Sequence, residues 1–343
     1  MKKSSFLGII LLAAVCTPSC KKTYEPAEQQ AETLLQTQAR AAAGPITPLW
    51  GASSSPFPNE PITGIASWVR LNNRLKSKNG GTGLTFRRSY DNGIPANFSA
   101  SAMAADVGNC PISVGSIKPS FSNSNSVNYN LIRDFVLSIP ANRTVYLIFW
   151  HEPEDNIEDG QFTAAQYRSG LVNFIRAVIS VQNQRPNVHP AFCLMAYTFK
   201  PQSGRNPEDY RPTGLTWDER TKTVAGIDGY FNDPTQSAAS VFNPIFTKMG
   251  LNSGSGTSNW GFSRFGIFET AAHGSRASWV TNLGSWAKNH GKMELVSWYN
   301  SALGPNAGPQ GWFLGTWGYN QSTGNFWWGD GDGSLNAYAQ IIK

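Results

Sequence analysis

Eight short apolar runs, each followed by a stretch of other character that is mostly of helical periodicity, predict an α/β fold of the (β/α)8 type, a TIM barrel, for this chain of 343 residues. Strict alternation calls for parallel strands joined by right-handed crossovers. The first turn, LWGASSSP, lacks the G-x-G-x-x-G of a dinucleotide-binding open sheet. Eight units in about 300 residues also fit one closed barrel better than a doubly wound sheet.

The units follow in order. The first strand is expected at 47–54, then a helix in GIASWVRLNNRLKS with Ile65, Trp68, Val69 and Leu75 at helical spacing. Strand two is 83–91, followed by a weak short helix in SASAMAADVG. Strand three is 110–120. Its helix, NYNLIRDFVLSI, sets Leu131, Ile132, Phe135 and Val136 on one face. Strand four is 144–154. The clearest helix follows: Thr163 with Gln166 three residues on forms a capping box, and Tyr167, Leu171, Phe174, Ile175 and Val178 make its buried stripe. Strand five is 191–200, then a polar loop, PQSGRNPEDYRPTG, which Arg205 and Asn206 are expected to order. Strand six is 224–233, with a helix behind it that has Pro244 near its start. Strand seven is 263–274, followed by an amphipathic helix stopped by Gly291. Strand eight is 292–301, and a Gly- and Trp-rich loop leads to the last helix, SLNAYAQIIK.

The N-terminus reads differently. MKK is a short basic region, and residues 6–15, FLGIILLAAV, are apolar but too few to span a bilayer. The stretch ends TPSC. Residues 1–19 therefore resemble a bacterial lipoprotein signal, with Cys20 as the lipidated N-terminus. Residues 20–44 then form a tether, and 45–343 the barrel domain. The expected location is the bacterial cell envelope, with the membrane reached only through the lipid. Of the other cysteines, Cys110 and Cys193 sit in apolar strands and read as buried thiols rather than a bridge. The net charge is +6, with Lys2 and Lys3 in the segment expected to be removed. No Lys/Arg stripe stands out, so no nucleic-acid partner is expected.

In such a barrel the C-terminal strand ends converge on one mouth. The polar and aromatic residues there are Arg87 and Arg88 after strand two and Lys118 after strand three. Strand four delivers Trp150, His151 and Glu152. Strand six delivers Tyr230, Asn232 and Asp233, strand seven Glu269, and strand eight Trp298 and Asn300. Glu152 and Glu269 would face each other across the mouth. Paired carboxyls are what glycoside hydrolysis needs, one protonated and one ionised. Arg87, Arg88 and Lys118 either form ion pairs beneath the mouth or bind an acidic sugar. Glu154, Asp155, Glu158 and Asp159 read as a solvated loop, with a metal site as the weaker alternative. DGDGS, from 330, is a faint calcium signal. His273 lines the cleft or decorates a loop. Trp312, Trp317, Trp327 and Trp328 form a sugar platform or a lid on the last helix.

WHEPEDN at strand four and FGIFETA at strand seven resemble the clan of retaining (β/α)8 glycosidases. The His-Glu pair, GIDGY at strand six and VSWYN at strand eight are similar to glycoside hydrolase family 26, the family of many β-mannanases. HEPEDNIEDGQFTAAQYR with SGRNPEDY further resembles a family-26-like group of secreted bacterial proteins. The resemblance covers about residues 45–343. It implies Glu152 as acid/base, Glu269 as nucleophile and Tyr230 as the hydrogen-bond donor to that nucleophile. His151 would bind sugar hydroxyls or tune Glu152, and Trp298 would floor the subsite at the scissile bond. The chain departs from the family's mannanases in carrying the acidic PEDNIEDG where they have a Trp-rich stretch. The implied activity is that of a secreted, lipid-anchored retaining β-glycosidase, endo-acting on a β-linked polysaccharide such as β-mannan. It would act as a monomer without metal or organic cofactor. The rival readings are a non-catalytic glycan-binding lipoprotein on the same barrel and a metal-dependent hydrolase built on the acidic loop.

Overall fold

Each apolar run is a strand: β1 (Leu49–Ser54), β2 (Phe86–Asp91), β3 (Ile112–Ile117), β4 (Thr144–Phe149), β5 (Val188–Met195), β6 (Val224–Phe231), β7 (Arg264–Ala272) and β8 (Met293–Asn300). In this computed structural model every strand pairs in parallel with the next, and β8 pairs with β1 to close the barrel. The structure describes residues 47–56, 60, 62–121, 128–231, 236–251, 260–272, 275–301, 314 and 331–343, and the backbone course of 316–320 and 325–329. The expected signal, tether and Cys20 lie outside the described residues, as do Asn232, Asp233, His273, Trp312, the first residue of DGDGS and the side chains of Trp317, Trp327 and Trp328.

The helices are α1 (Gly64–Asn79), α2 (Tyr129–Ser138), α3 (Pro153–Glu158), α4 (Ala164–Ile179), α5 (Trp217–Lys222), α6 (Ala238–Lys248), α7 (Arg276–Lys288) and α8 (Ser334–Ile341). Local chemistry sets their ends. The Thr63 side chain caps α1, and Gly80, at φ 79°, ends it in the left-handed conformation that a residue without Cβ adopts freely. Thr163 and Gln166 form the expected capping box on α4, whose buried face is the expected stripe.

Several expectations need correction. The short helix after β2 is two 3-10 turns, Phe98–Ala100 and Ala102–Asp106. Leu131 does not share the buried face of α2 but is 54% exposed. The acidic stretch after β4 is a helix, α3, and Pro244 stands inside α6 rather than near its start. The segment before β6 contributes α5 with its own capping box, Thr216 and Glu219. The Gly- and Trp-rich loop includes an antiparallel pair, β9 (Thr316–Asn320) and β10 (Asn325–Gly329). β5 begins at Val188, three residues before the expected start, and ends at Met195. His189 and Pro190 read as loop in isolation. The barrel gives His189 a polar setting, its ring 5.0 Å from that of Tyr146 and its Nδ1 3.4 Å from Arg264.

Two separate apolar cores result. The larger lies between strands and helices. The smaller comprises Phe86, Val114, Tyr146, Ile148, Ala191, Cys193, Val224, Phe268 and Leu295, drawn from seven strands, which meet only inside the barrel. Strand parity then sorts the rest, because alternate residues face opposite sides. Cys110 and Cys193 are both buried and unbridged. Glycine makes room for the interior rings: a Cβ on Gly226 would lie 1.8 Å from Phe268 Cε2, and one on Gly51 2.4 Å from the Phe86 ring. Gly226→Ala is therefore expected to destabilise the barrel by about 1–3 kcal/mol. Thermal unfolding should show the loss, and Phe268→Leu in the same chain should restore part of it.

Candidate active site

Parity on β2 decides which arginine enters the barrel. Phe86 is interior, so Arg88 and Tyr90 follow it inward, and Arg87 turns out. Arg87 pairs with Asp106 and donates to the Ala102 carbonyl at 2.6 Å. It does not line the mouth, contrary to expectation. Arg88 holds Asp228 of β6 through two bonds, 2.6 and 2.9 Å, and its Nη1 lies 3.7 Å from Glu269 Oε1. All three side chains are buried. Asp228 and Glu269 are neighbours across β6 and β7, beside an irregularity in that ladder.

The same parity corrects β8. Leu295 is interior, so Tyr299, not Trp298, reaches the mouth. Trp298 is fully buried against Tyr338 of α8, ring centroids 6.1 Å apart, and does not floor the site. The Tyr299 ring lies edge-on to Tyr230 at 5.6 Å. Asn300, also expected to touch substrate, joins β8 to its surroundings: its Nδ2 donates to Ser54 Oγ at 3.1 Å, and its Oδ1 accepts from the Leu314 amide at 2.9 Å.

The end of β4 is the tightest backbone of the site. Trp150 has φ 42° and Glu152 φ 50°, the positive-φ non-glycine residues of the described chain. Such conformations cost about 1–3 kcal/mol each and persist only where neighbours impose them. The neighbours are visible. Trp150 N donates to Ile117 O at 3.0 Å and Glu152 N to Cys193 O at 3.1 Å, so the ladder continues through the twist. The Trp150 indole donates to the Pro119 carbonyl at 2.9 Å and packs on Phe121 and Phe162. Trp150 is thus an anchor in the outer core rather than the expected substrate contact. His151 turns in: its Nδ1 and Ser116 Oγ are 2.7 Å apart, and its ring sits 4.9 Å from that of Tyr90. Burial, with Arg88 and Lys118 nearby, holds the imidazole well below its ordinary range and hence neutral.

The two glutamates have different surroundings. Glu269 accepts a hydrogen bond from the Tyr230 hydroxyl on Oε2. Burial raises its carboxyl to about 6, while Arg88 and the Ser53 hydroxyl pull it down. Among the described residues Glu152 Oε1 and Glu269 Oε1 are both buried with no hydrogen-bond partner. Burial first, and the charge of Asp228 second, push the Glu152 carboxyl up to about 8 against the pull of Arg88. Near neutral pH one group is then largely protonated and the other largely ionised.

The acidic run is a helix rather than a loop; Asp155, Glu158 and Asp159 are exposed as expected, and Glu154 is the exception. Glu154 is fully buried, and its Oε1 accepts from the Met195 amide and the Thr198 hydroxyl, both at 2.8 Å. Asp155 and Glu158 pair with Arg205 at 2.7 and 2.6 Å, which ties α3 to the segment after β5. Arg205 orders that segment as expected, and Asn206 caps its 3-10 turn. Among the described residues no group of three or more His, Cys, Asp or Glu side chains could hold a metal ion. Asp228, Ser53, Ser116, Tyr90 and Tyr299 were not singled out from sequence. Parity counted from an interior residue is the signal that finds them.

No family model matches the chain, and no curated protein matches it. Among solved structures it is similar to a glucosidase from Croceicoccus marinus, at TM-score 0.50 and 11% identity over 87% of this chain and 68% of that one. It is similar also to a β-glucosidase from Thermotoga maritima in complex with galacto-hydroximolactam, at TM-score 0.50 and 11% identity over 87% and 97%. A third is GH26C from a Muricauda species, at TM-score 0.46 and 12% identity over 79% and 83%. At such identities the likeness extends to the fold, a (β/α)8 barrel of the kind glycosidases use.

Removing the buried cation between two buried carboxyls should be costly. Arg88→Met is expected to lower stability by about 3–5 kcal/mol, and Arg88→Met with Asp228→Leu by less, because the second change removes one uncompensated charge. Denaturant unfolding of the two variants measures the difference.

Proposed function

We propose that this protein is a retaining β-glycosidase, endo-acting on a β-linked polysaccharide, with Glu269 as nucleophile and Glu152 as acid/base. One observation carries the proposal. Glu152 and Glu269 are delivered by β4 and β7 to one end of the barrel beside the buried Arg88, and burial pushes them up to different degrees, to about 8 and about 6. The group with Tyr230 and Arg88 beside it is the more readily ionised. A protonated acid and an ionised nucleophile are the pair that double displacement requires.

In the first step a Glu269 oxygen bonds to the anomeric carbon. The glycosidic bond breaks, and its electron pair takes the proton of Glu152 on the leaving oxygen. In the second, the Glu152 carboxylate takes a proton from water. The water oxygen bonds to the anomeric carbon and Glu269 is released, which restores both starting states. Arg88 and Tyr230 hold the leaving carboxylate in each cycle. Neutral His151, fixed by Ser116, offers its other ring nitrogen to a sugar hydroxyl. Tyr299 and Tyr90 offer rings at the mouth in the place expected of Trp298. The chain is further proposed to be attached to the cell envelope through lipid on Cys20.

The pH dependence follows from these groups. Activity needs Glu269 ionised and Glu152 protonated, so kcat/KM should rise through about pH 6 and fall through about pH 8. A profile with a single limb on a polysaccharide panel would contradict the assignment. Glu269→Ala and Glu152→Ala should each lose at least about 1000-fold in kcat while remaining folded. The first-formed anomer seen by NMR should keep its configuration, and inversion would end the two-glutamate scheme. For the anchor, Cys20→Ser is expected to abolish fatty-acid labelling and move the chain from the membrane fraction to the soluble one.

A further inference from the structure

Among the described residues two lysines at this end of the barrel, Lys118 and Lys200, make no ion pair, and Lys118 is the one beside the strand that delivers Glu152. Arg88 is held by Asp228 and faces Glu269. Arg87 is held by Asp106, and Arg205 by Asp155 and Glu158. His151 is neutral. Lys118 stands directly after β3, beside the strand that delivers Glu152. It is half-buried, with its ammonium 5.2 Å from the centroid of the Trp150 ring, and it makes no ion pair among the described residues. Its place at the mouth is also read from the charges it feels, those of Glu152, Arg88, Asp155 and Asp228. Glu152 does not neutralise it while that carboxyl is protonated.

A half-buried ammonium held over an indole keeps its charge at a cost that a buried counter-ion relieves. Trp150 cannot move to accommodate another arrangement. It is fixed by its positive φ, by Pro119 and by Phe162. On the same side of the mouth stand the Nε2 of His151 and the half-exposed Tyr90. With Lys2 and Lys3 removed the net charge of +6 falls to +4, which still favours encounter with polyanions.

We propose that Lys118 is an anion-recognition residue, and that the glycan this site takes carries an anionic group, carboxylate or sulfate, on a sugar bound next to Glu152. The proposal rests on the glycosidase reading above and departs from the neutral β-mannan expected from the family resemblance. The ammonium and the anion form a charge-assisted hydrogen bond away from bulk water, and His151 and Tyr90 supply polar neighbours to it.

The test uses the intact protein and two matched pairs of substrates: a uronate-containing polysaccharide with its carboxyl-reduced form, and a sulfated one with its desulfated form. The anionic member of at least one pair should be turned over with kcat/KM about tenfold or more above its neutral counterpart, and which pair shows this identifies the anion. Lys118→Met should bring that ratio close to one through a rise in KM. Lys118→Arg should keep most of it. Lys200→Met removes a lysine at the same end of the barrel, near Phe231, and should leave the ratio unchanged. Equal turnover of both members of each pair by the unmodified protein would overturn the proposal. An unchanged ratio in Lys118→Met would overturn it too, whatever that variant does to the alkaline pH limb, which must move because Lys118 and Glu152 feel one another's charge. So would an equal loss in Lys200→Met, since net charge alone would then explain the preference. If no glycan is cleaved, the glycosidase reading fails by itself. Calorimetric binding of the same oligosaccharide pairs then decides the lysine, with tighter binding of the anionic member that Lys118→Met abolishes as the supporting result and equal binding as the overturning one.

Discussion

The buried guanidinium of Arg88 is the interaction on which the upper barrel depends. It sits where β2, β6 and β7 face one another, holds Asp228 with two bonds and stands 3.7 Å from Glu269. Three buried charges would be prohibitive if any were alone. Together the three carry one net negative charge when Glu269 is ionised. That charge, with the low dielectric around it, makes a second ionised carboxyl expensive. Glu152 meets that expense by holding its proton, and Asp228 is the leading charge that makes it do so. The difference between the glutamates is therefore set by the burial of each first and by this ion cluster second.

Position is the second constraint, and the outer core supplies it. β4 could deliver Glu152 in an ordinary extended conformation only by continuing the alternation of Ile148 and Phe149. Two residues with positive φ interrupt that alternation. Trp150 is thereby committed to the aromatic cluster of Phe121 and Phe162, and His151 is turned inward to Ser116. Below, Glu154 fastens the following helix to the end of β5, and Arg205 fastens its other side. An indole and a buried carboxyl thus determine where the carboxyl of Glu152 stands.

The eight strands were legible in the sequence because each buries both faces and so reads as an apolar run. Glu152, Glu269, Tyr230 and His151 were legible because they end such runs in motifs with a family resemblance. Arg87 and Trp298 mark where legibility stopped. Each is one residue from a mouth residue, Arg88 and Tyr299. A one-residue choice on a strand exchanges inside for outside. Motif matching does not resolve that parity, whereas a single interior anchor such as Phe86 or Leu295 does. The acidic run was legible only in part, for a different reason. Asp155, Glu158 and Asp159 are exposed as read, but Glu154 is buried, and its partners, Met195 and Thr198, lie beyond the next helix and strand, as does Arg205, which pairs with Asp155 and Glu158.

The same electrostatics sets a cost that varies with pH. A carboxyl whose folded pKa is raised above its ordinary 4.5 binds its proton more tightly in the folded state. The stability it contributes is complete below about 4.5 and is lost as pH rises, by about 6 for Glu269 and by about 8 for Glu152. These two carboxyls therefore favour the acid side of the range in which the proposed chemistry runs, while the buried neutral His151 and His189 oppose acid below about 6.5. Between those two values Glu269 has already been ionised at the expense of stability, and Glu152 has not. That interval is where the pair is chemically asymmetric, so the destabilisation and the reactivity have one origin. A bound anion at Lys118 would add a negative charge beside Glu152 and hold its proton further. An acidic substrate would on this argument stabilise the acid form of the residue that must protonate it.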